Sequence, residues 1–379
     1  MKENKLKILI YSEYFWPSVG GSENYALDLA TELSREGHCV GVITASKSSG
    51  EDNFPFKLYR LHKPLSPKGL NINFLEIPTI INNFEPDIFH INYQSGGENF
   101  LIVLLWLMRI PVVLTYHADH VLPIGKLIDE AQILSTFKLL DKVLVQTNRD
   151  KVKFNSKGIK SSKIILFRFS GIDTRKYNCK SSKIQRSERV RGICIARMDD
   201  SHNYKGINRL IEMINSERFL FSTGQISLAF VGDGNLKKEY ENKVKDFHLE
   251  GVEFLGKLSD DILIQELCKS DFLILPSTEK AEGFGRVALE AMSCGILTAV
   301  SQFAGISEIL TKYNSAIIFD PFSNEEVFRK IHLTLNNYKQ RDNIINNAYA
   351  MIRKEGLDIR DTVQKTVDIY RQTLAQRYR

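Results

Sequence analysis

Short apolar runs alternate with amphipathic segments along most of the chain. Phe272 to Leu275 is a typical run, because it is wholly apolar and is followed by a proline, as a buried parallel strand often is. An earlier run, Leu6 to Tyr11, precedes a segment that places Tyr25, Leu29 and Leu33 on one helical stripe. Strands and helices in regular alternation are typical of parallel sheets. We therefore predict an α/β fold for the whole chain.

The same pattern divides the chain into two domains. At 379 residues the chain is long for one domain, and the alternation breaks off in a polar, basic stretch near Cys179 to Arg191. We expect a doubly wound, Rossmann-like domain over residues 1–173, a linker over 174–189, a second such domain over 190–355 and a C-terminal helix within 356–379. Further strands are predicted at residues 39–44, 87–92, 112–116, 142–147, 163–169, 192–196, 226–231, 252–255 and 315–320.

Composition adds that the protein is soluble. Hydrophobic residues make up 43% of the chain and charged residues 25%, as in proteins with full cores. The longest apolar run, Phe100 to Met108, is far shorter than the roughly 18 residues of a membrane span, and the N-terminus lacks the apolar region of a signal peptide. The cysteines are widely spaced without a C-x-x-C pair, which indicates neither a zinc site nor a disulfide framework. We expect a cytoplasmic protein.

The positive charge is unevenly distributed. The net charge is +6, and between Arg149 and Arg168 seven lysines or arginines stand against one acid, Asp150. Two interpretations remain open: an ordinary solvated surface, or a patch that docks on anionic headgroups at the inner face of the membrane or on a phosphorylated acceptor. No nucleic-acid motif accompanies the cluster, and its two aromatic residues, Phe154 and Phe167, do not form the interleaved series typical of single-strand binders, so we expect no nucleic-acid partner.

The most informative stretch follows the Phe272 to Leu275 run. A polar loop leads to Gly283-Phe284-Gly285 and then to helical spacing, so a glycine-bearing loop runs into a helix N-terminus, where free N–H groups bind anions such as phosphate. Glu282 precedes the helix and Glu290 lies within it. For a helix that starts near Phe284, Glu290 is roughly 9 Å along the axis, a suitable offset for gripping a ribose. The alternative is a crossover with two surface acids.

Three other positions invite a functional interpretation. Gly20-Gly21 lies where a strand becomes a helix, which lets a ligand approach the backbone, although a tight turn also explains the pair. His117 follows a strand end, where α/β sheets bind ligands; a metal site with Asp119 and His120 would need further ligands that the sequence does not offer. Gly232-Asp233-Gly234 is similar to a dinucleotide fingerprint but has Lys237 in place of the third glycine.

Taken together, these motifs resemble retaining glycosyltransferases of the GT-B architecture, family 4, also called group 1. The resemblance rests on EGFG, the following ALEAM helix and a later GISE, which frame an E-x7-E pair formed by Glu282 and Glu290, and it extends over essentially the whole chain. It implies two doubly wound domains that face each other across a cleft, with the final helix crossing back to the first domain.

The resemblance also implies roles for individual residues. Arg197 and Lys205 would neutralise the diphosphate leaving group, which gathers negative charge in the transition state. The loop between them carries an additional SHNY, so the place of Lys205 depends on how that loop folds. The remaining implied contacts are Glu290 on the ribose, Glu282 with Gly283, Phe284 and Gly285 on the sugar, His117 on the sugar from the first domain, the N–H groups of Gly285 to Val287 and of Gly20 and Gly21 on the phosphates, and Lys257 and Leu258 on the base.

The implied reaction moves a hexose from a nucleotide-diphospho-sugar, with UDP-glucose favoured, to a carbohydrate or lipid-linked acceptor in polysaccharide or glycolipid synthesis. Retention is expected through front-face attack, with Glu282 as a nucleophile the open alternative. No D-x-D motif lies near these residues, so we expect no metal or other cofactor. A non-catalytic nucleotide-sugar-binding protein and a dinucleotide-dependent oxidoreductase built on the Gly232 turn are the rival functions.

Overall fold

The structure, a computed structural model, describes residues 5–18, 20–48, 52–61, 76–93, 98–117, 135–179, 189–280, 282–323 and 326–377. The chain forms two compact units. The first comprises Met1–Asp173 together with Gly356–Arg379, and the second comprises Thr174–Glu355. The segment predicted as a linker therefore begins inside the second unit. Among the described residues, no helix is both long and apolar enough to cross a bilayer.

The first unit is built on a parallel sheet of seven strands. Their order is β3-β2-β1-β4-β5-β6-β7, so the chain starts in the middle of the sheet and reverses direction between β3 and β4. The strands are β1 Lys7–Ser12, β2 Cys39–Thr44, β3 Lys57–Arg60, β4 Ile88–Tyr93, β5 Val112–Tyr116, β6 Lys142–Val145 and β7 Ile164–Leu166. Helices α1 Gly21–Arg35, α2 Glu76–Phe84, α3 Glu98–Leu107 and α4 Asn148–Ser156 connect them.

The second unit repeats this plan with six parallel strands in the order β10-β9-β8-β11-β12-β13. The strands are β8 Val190–Ile195, β9 Ile226–Val231, β10 Val252–Gly256, β11 Phe272–Leu275, β12 Leu297–Ser301 and β13 Ile317–Phe319. The helices are α5 Ile207–Ser216, α6 Arg218–Ser222, α7 Lys237–Asp246, α8 Asp260–Cys268, α9 Arg286–Ser293, α10 Ser307–Tyr313, α11 Val327–Asn336 and α12 Tyr338–Glu355. The switch in strand order falls between β8 and β11.

Burial on both faces explains why the strands have continuous apolar runs. Every residue of β4, β5 and β11 is buried, because helices cover the sheet on each side. The order of strands and helices confirms the predicted α/β fold with two doubly wound sheets.

The expectation that the cysteines form no disulfide is wrong. Cys179 and Cys268 are joined by a disulfide although 89 residues separate them. Cys268 is the last residue of α8, and the fold returns that helix end to the segment that carries Cys179. Sequence spacing contains no trace of this contact, because it arises from tertiary packing.

The last helix, α13 Ile359–Arg377, completes the first unit. Its buried face, with Val363, Val367 and Tyr370, joins the same hydrophobic cluster as Tyr25 and Leu29 of α1. The helix also makes a buried polar contact, because the Tyr370 hydroxyl lies 2.5 Å from Nδ1 of His90 on β4. The amphipathic pattern at the end of the chain thus provides part of a core that the N-terminal residues begin.

Burial of His90 predicts an acid-sensitive first unit. Burial lowers the pKa of His90 to about 3, so the folded unit holds this ring neutral while the unfolded chain protonates it below about pH 6.5. The free energy of unfolding should therefore fall as the pH drops from 6.5 toward 3, by about 1.4 kcal/mol per unit from this group. Urea unfolding followed by tryptophan fluorescence reports on this unit, since Trp16 and Trp106 both belong to it.

The matched comparison is His90→Gln against His332→Gln, a histidine of the second unit. Between pH 6.5 and pH 5 the wild type and His332→Gln should lose about 2 kcal/mol more than His90→Gln. Equal losses in all three proteins would contradict the prediction.

Candidate active site

An ion pair lies beyond the carboxyl edge of the second sheet. The Nζ of Lys205 is 2.9 Å and 2.6 Å from the two carboxylate oxygens of Glu282. The Ser277 hydroxyl donates to the same carboxylate at 3.1 Å. The Glu282 side chain is 6% exposed and that of Lys205 is 20% exposed. Glu282 is thus held in place by two donors in a largely dry environment, where such contacts are strongest.

A tight backbone contact brings Lys205 to this position. Asp200–Lys205 forms a 3₁₀ turn that ends at Gly206, whose φ of 74° lies in the left-handed region. A Cβ on Gly206 would lie 2.1 Å from the carbonyl oxygen of Pro276, so only glycine allows the turn to meet the end of β11. The N–H of Thr278 then donates to the carbonyl of Tyr204 at 2.9 Å. The loop with the additional SHNY therefore folds back and places Lys205 beside Glu282.

Two further glycines position Arg197. The segment after β8 runs beside the Gly232-Asp233-Gly234 turn, and Met198 N–H donates to the Asp233 carbonyl at 3.0 Å. A Cβ on Gly232 would lie 1.9 Å from the Ala196 carbonyl oxygen, and one on Gly234 would lie 2.2 Å from that of Met198. These glycines are accounted for by packing on either side of Arg197. The presence of Gly232 and Gly234 is explained without a bound dinucleotide.

The electrostatics of this region favour a charged lysine. Burial disfavours the ammonium, but the Glu282 carboxylate outweighs burial and raises the pKa of Lys205 above its usual value. Arg197 acts in the opposite sense on Lys205, which shows that the two cations lie within electrostatic range of each other. The ring of Tyr204 lies under Lys205, with the Nζ 5.2 Å from its centroid. The site thus holds Lys205 and Arg197 near each other, with the Glu282 carboxylate on Lys205 and the Asp199 carboxylate within electrostatic range of Arg197.

The predicted anion-binding helix begins later than expected. Helix α9 starts at Arg286, directly after Gly285 with φ of 77°, and not near Phe284. Glu290 therefore lies about 6 Å along the axis from the first helical residue, and the predicted 9 Å offset is wrong. The reason is that the left-handed glycine and the buried Phe284 shape the loop before the helix starts.

The main chain before this helix is held by the GISE loop. The Gly305 N–H donates to the carbonyl of Glu282 at 3.3 Å. A Cβ on Gly305 would lie 1.9 Å from the Gly283 carbonyl oxygen. The loop of Glu282 to Gly285 is thereby fixed from behind, and the helix start at Arg286 and Val287 follows it directly.

Sequence reasoning missed the environment of Glu290. The Nε of Arg286 lies 3.5 Å from a Glu290 carboxylate oxygen, and both side chains are buried. A basic residue in the first turn of a helix is unfavourable for the helix dipole, and this conflict was a signal in the sequence. Ser277 and Tyr204 were also missed, because a serine after a strand and a tyrosine before a lysine are too common to stand out.

The two residues predicted to contact the base lie on another edge loop of the same unit. Lys257 and Leu258 directly follow Gly256, the last residue of β10. Strand β10 pairs with β9 at the edge of the sheet. Lys257 is exposed and Leu258 is half-buried. The structure places Lys205 in direct contact with Glu282, and Arg197 within electrostatic range of Lys205. Among the described residues, no hydrogen bond or ion pair joins this group to Lys257 or Leu258.

In the first unit, His117 follows β5, as predicted. Its Nε2 hydrogen-bonds to the side-chain oxygen of Asn92. The side-chain nitrogen of Asn92 in turn donates to the Ser12 hydroxyl at 2.9 Å. Its ring lies against Tyr25 and Phe169, with centroids 5.1 Å and 4.9 Å away. His117 is therefore held in a defined orientation at the strand ends. Asp119 and His120, the rival metal ligands, lie outside the described residues.

The glycine pair lies at the start of α1. Gly20 is the N-cap with an extended φ of −175°, a conformation open to any residue. A Cβ on Gly21 would meet nothing within 4 Å. Backbone strain therefore does not require glycine at position 20, and internal crowding does not require it at position 21, so close approach of a ligand stays a prediction for this pair.

Comparison with known proteins identifies two matching families. The family described as glycosyl transferases group 1 matches residues 189–351, and glycosyltransferase family 4 matches residues 19–174. The first match lies within the second unit. The second lies within the first unit and extends one residue beyond it.

Individual proteins agree with these matches. An uncharacterized glycosyltransferase of Methanocaldococcus jannaschii is 30% identical over 150 residues, which is 40% of this chain and 40% of that protein. N-acetyl-alpha-D-glucosaminyl L-malate synthase of Bacillus anthracis is 24% identical over 81% of each chain. Anabaena HepE in complex with UDP and glucose has a similar structure, with a TM-score of 0.74 at 19% identity over 96% of this chain and 99% of that one. The predicted GT-B fold is confirmed.

The Lys205–Glu282 pair should be strongly coupled in stability. Lys205→Met leaves a buried carboxylate without its cation, and Glu282→Gln leaves the ammonium without its counter-charge. Each change should destabilise the second unit by roughly 2–3 kcal/mol, less than a fully buried pair because Lys205 is 20% exposed. The double variant should recover part of this loss. Hydrogen exchange of second-unit peptides measures these differences.

The pair of Lys243 and Glu212 is the matched control. It lies in the same unit at a similar distance of 2.9 Å, but with side chains 24% and 38% exposed. Its double-variant coupling should be below about 1 kcal/mol. A Lys205–Glu282 coupling no larger than the control would mean that the site pair is not a strong interaction.

Proposed function

Because the chain belongs to the glycosyl transferases of group 1, with the GT-B architecture, we propose that it transfers a hexose with retention from a nucleotide-diphospho-sugar to an acceptor hydroxyl. The observation that carries this proposal is the placement of Lys205 against Glu282, with Arg197 within electrostatic range of Lys205. A diphosphate leaving group requires fixed positive charge, and a sugar requires a fixed acceptor of hydrogen bonds. The Lys205 ammonium and the Glu282 carboxylate supply these two groups, and they are in direct contact.

The two cations serve the leaving group. As the bond between the anomeric carbon and the phosphate oxygen breaks, negative charge accumulates on the diphosphate, and Arg197 and Lys205 stabilise it. The N–H groups at Gly285 to Val287 add a second source of positive potential, because α9 starts there. Gly20 and Gly21 serve the same phosphates from the first unit.

The two carboxylates serve different parts of the donor. Glu282 and the main chain of Gly283 to Gly285 bind sugar hydroxyls, and His117 contacts the sugar from the first unit. Glu290 binds the ribose, and its contact with Arg286 orients it for that purpose. Lys257 and Leu258 contact the base through their main chain.

The reaction proceeds by front-face attack. The acceptor oxygen bonds to the anomeric carbon on the face from which the phosphate departs, and the acceptor proton passes to the departing phosphate oxygen. Both oxygens of Glu282 accept hydrogen bonds from Lys205, and Ser277 also donates to one of them, an arrangement suited to a binding group. A nucleophilic carboxylate would have to give up these contacts, which supports front-face attack over double displacement. These groups perform their roles without a metal ion.

UDP-glucose is the proposed donor. Support comes from Anabaena HepE, a protein of similar structure described in complex with UDP and glucose. The proposed acceptor is a carbohydrate or lipid-linked hydroxyl in polysaccharide or glycolipid synthesis. A non-catalytic nucleotide-sugar-binding protein remains the alternative, and turnover distinguishes it. The oxidoreductase alternative is discarded, since the chain belongs to a transferase family and packing explains Gly232 and Gly234.

A nucleotide panel tests the donor site. UDP at a hundredfold excess over its dissociation constant should stabilise the full chain by about 2.7 kcal/mol in a thermal-shift assay, whereas NAD should not.

Arg197→Ala should cost about 2.7–4 kcal/mol of transition-state stabilisation in steady-state transfer, the cost of losing one preorganised charge contact. Lys243→Ala removes a surface cation of the same unit and should leave transfer unchanged.

The carboxylates provide the internal control. Glu290→Gln should weaken UDP binding in isothermal titration and largely preserve the rate at saturation, whereas Glu282→Gln should lower that rate more than it weakens UDP binding. If Glu282→Gln weakened UDP binding while Glu290→Gln left it normal, the sugar and the ribose of the donor would lie in the reverse order along α9. Stabilisation by UDP without any transfer would favour the non-catalytic alternative.

The first unit also carries a surface suited to an anionic membrane. From Phe100 onward helix α3 is apolar on all sides: Leu101, Ile102 and Leu105 are buried, while the opposite side exposes Phe100, Val103, Trp106 and Leu107. Trp106 is 51% exposed and Leu107 is 66% exposed. A helix without a polar face is unusual at a protein surface and typical of contact with lipid or protein.

Basic groups lie beside this helix. A cavity of about 330 Å³ is lined by Trp106 together with Lys138, Lys163, Arg377 and one acid, Asp141, which pairs with Arg377 at 2.8 Å. The Nζ of Lys138 also lies 3.5 Å from where a Cβ on Gly158 would be, in the middle of the basic stretch Arg149 to Arg168. Apolar side chains flanked by cations complement the interface of an anionic bilayer. We propose that α3 and this basic stretch make a peripheral contact with the inner face of the cytoplasmic membrane.

Trp106 offers a direct test of this surface. In a Trp16→Phe background, Trp106 is the only tryptophan. Vesicles with phosphatidylglycerol should shift its emission to the blue and sediment the protein, and Leu107→Ser should weaken both effects. Phe219→Ser, at a position 68% exposed in the second unit, should change neither. Equal binding to neutral phosphatidylcholine, or a dimer in solution that Leu107→Ser dissociates, would contradict the assignment.

A further inference from the structure

Three cysteine sulfurs converge in the second unit. The Sγ atoms of Cys179, Cys268 and Cys294 all lie within 4.8 Å of one another. Cys294 is buried, and the other two are half-buried. A disulfide between Cys179 and Cys268 accounts for the meeting of two of them, but not for the third. Their closeness is a property of the fold, because the three residues come from separate parts of the chain.

The framework that holds the three sulfurs is already ordered by other contacts. Cys268 ends α8, and Cys294 is the C-cap of α9. The segment before Cys179 is fastened to the end of α9, since the hydroxyl of Ser293 donates to the carbonyl of Tyr177 at 2.7 Å. Two helix ends and one anchored segment therefore present the thiols from rigid positions, which is a requirement for a preorganised ligand set.

The distances fit coordination by thiolates. A soft cation bound at about 2.3 Å to each sulfur keeps its ligand sulfurs about 3.8–4.0 Å apart. Three sulfurs within 4.8 Å of one another reach that arrangement through small side-chain rotations once the disulfide is reduced. Thiolates select soft or borderline cations such as Cu⁺, Zn²⁺ and Cd²⁺ over Mg²⁺ and Ca²⁺.

We infer that Cys179, Cys268 and Cys294 form a binding site for a thiophilic metal cation, which opens when the Cys179–Cys268 disulfide is reduced. A dithiol supplies two electrons and two protons to the disulfide and is itself oxidised to a disulfide. The cation then replaces the three thiol protons, which are released to solvent. In the oxidised protein two of the three sulfurs are bonded to each other, so the site is closed.

The three cysteines include none of the groups assigned to transfer, although the Glu290 carboxylate is within electrostatic range of Cys294, and the existence of the site does not depend on the proposed function. Cys294 lies one helical turn after Glu290, at the opposite end of α9 from the proposed phosphate contacts. A bound cation would join the ends of α8 and α9 to the segment at Cys179. The redox state would therefore decide whether Cys294 takes part in this link, since the disulfide alone leaves it out.

Cadmium titration of the full chain tests the inference. Protein reduced with a phosphine, which is then removed, should develop the ultraviolet charge-transfer absorption of cadmium–thiolate bonds, saturating at one ion per chain. The oxidised protein should show no such absorption. Cys294→Ala should weaken Cd²⁺ binding by at least about tenfold, because it removes a direct ligand. Cys194→Ala removes a buried cysteine outside the cluster and is the matched control.

The following outcomes would contradict the inferred metal site. Cd²⁺ binding that Cys294→Ala leaves unchanged, or that Cys194→Ala reduces equally, would overturn the site. So would reduced protein that develops no absorption. If Cys294→Ala fails to fold, Cys179→Ser at a half-buried position takes its place with the same expected loss. Proton release on Cd²⁺ addition to the wild type provides an independent readout.

Discussion

Direct contact between backbone segments is the constraint on which the candidate site depends. Four glycines allow neighbouring loops to approach more closely than any side chain permits: Gly206 at Pro276, Gly232 at Ala196, Gly234 at Met198 and Gly305 at Gly283. A Cβ at any of them would lie within 2.2 Å of a carbonyl oxygen. Because those oxygens belong to backbone, the loops could not yield without moving the strand ends. The side chains of the site depend on these contacts for their positions.

The charges then compensate for a costly environment. A buried lysine is unfavourable, and so is a buried carboxylate, but at 2.6 Å each supplies what the other lacks. The pair still leaves Arg197 and the start of α9 as positive features at the same edge of the sheet. Cations fixed at the carboxyl edge of a parallel sheet are suited to an anionic ligand.

Periodicity was sufficient to predict the architecture but not the contacts. The apolar runs predicted the buried strands, since helices on both faces of a sheet leave no polar alternation. The motif around Glu282 located the helix whose N-terminus borders the site. The start of that helix could not be placed, because the left-handed conformation of Gly285 leaves no mark in the apolar spacing, and its packing beside Leu275 and Ile306 joins distant parts of the sequence. Likewise, the folding of the SHNY loop depended on Gly206 meeting Pro276, a contact between distant parts of the sequence.

The return of α13 to the first unit has a consequence for synthesis. The core around Tyr25 and Leu29 stays incomplete until Val363, Val367 and Tyr370 reach it. While the ribosome makes the second unit, the nascent first unit exposes the apolar surface of α1 and leaves His90 without its tyrosine. The second unit contains none of the last helix and can close as soon as Glu355 has emerged. The part of the protein that is translated first is therefore the part that is completed last.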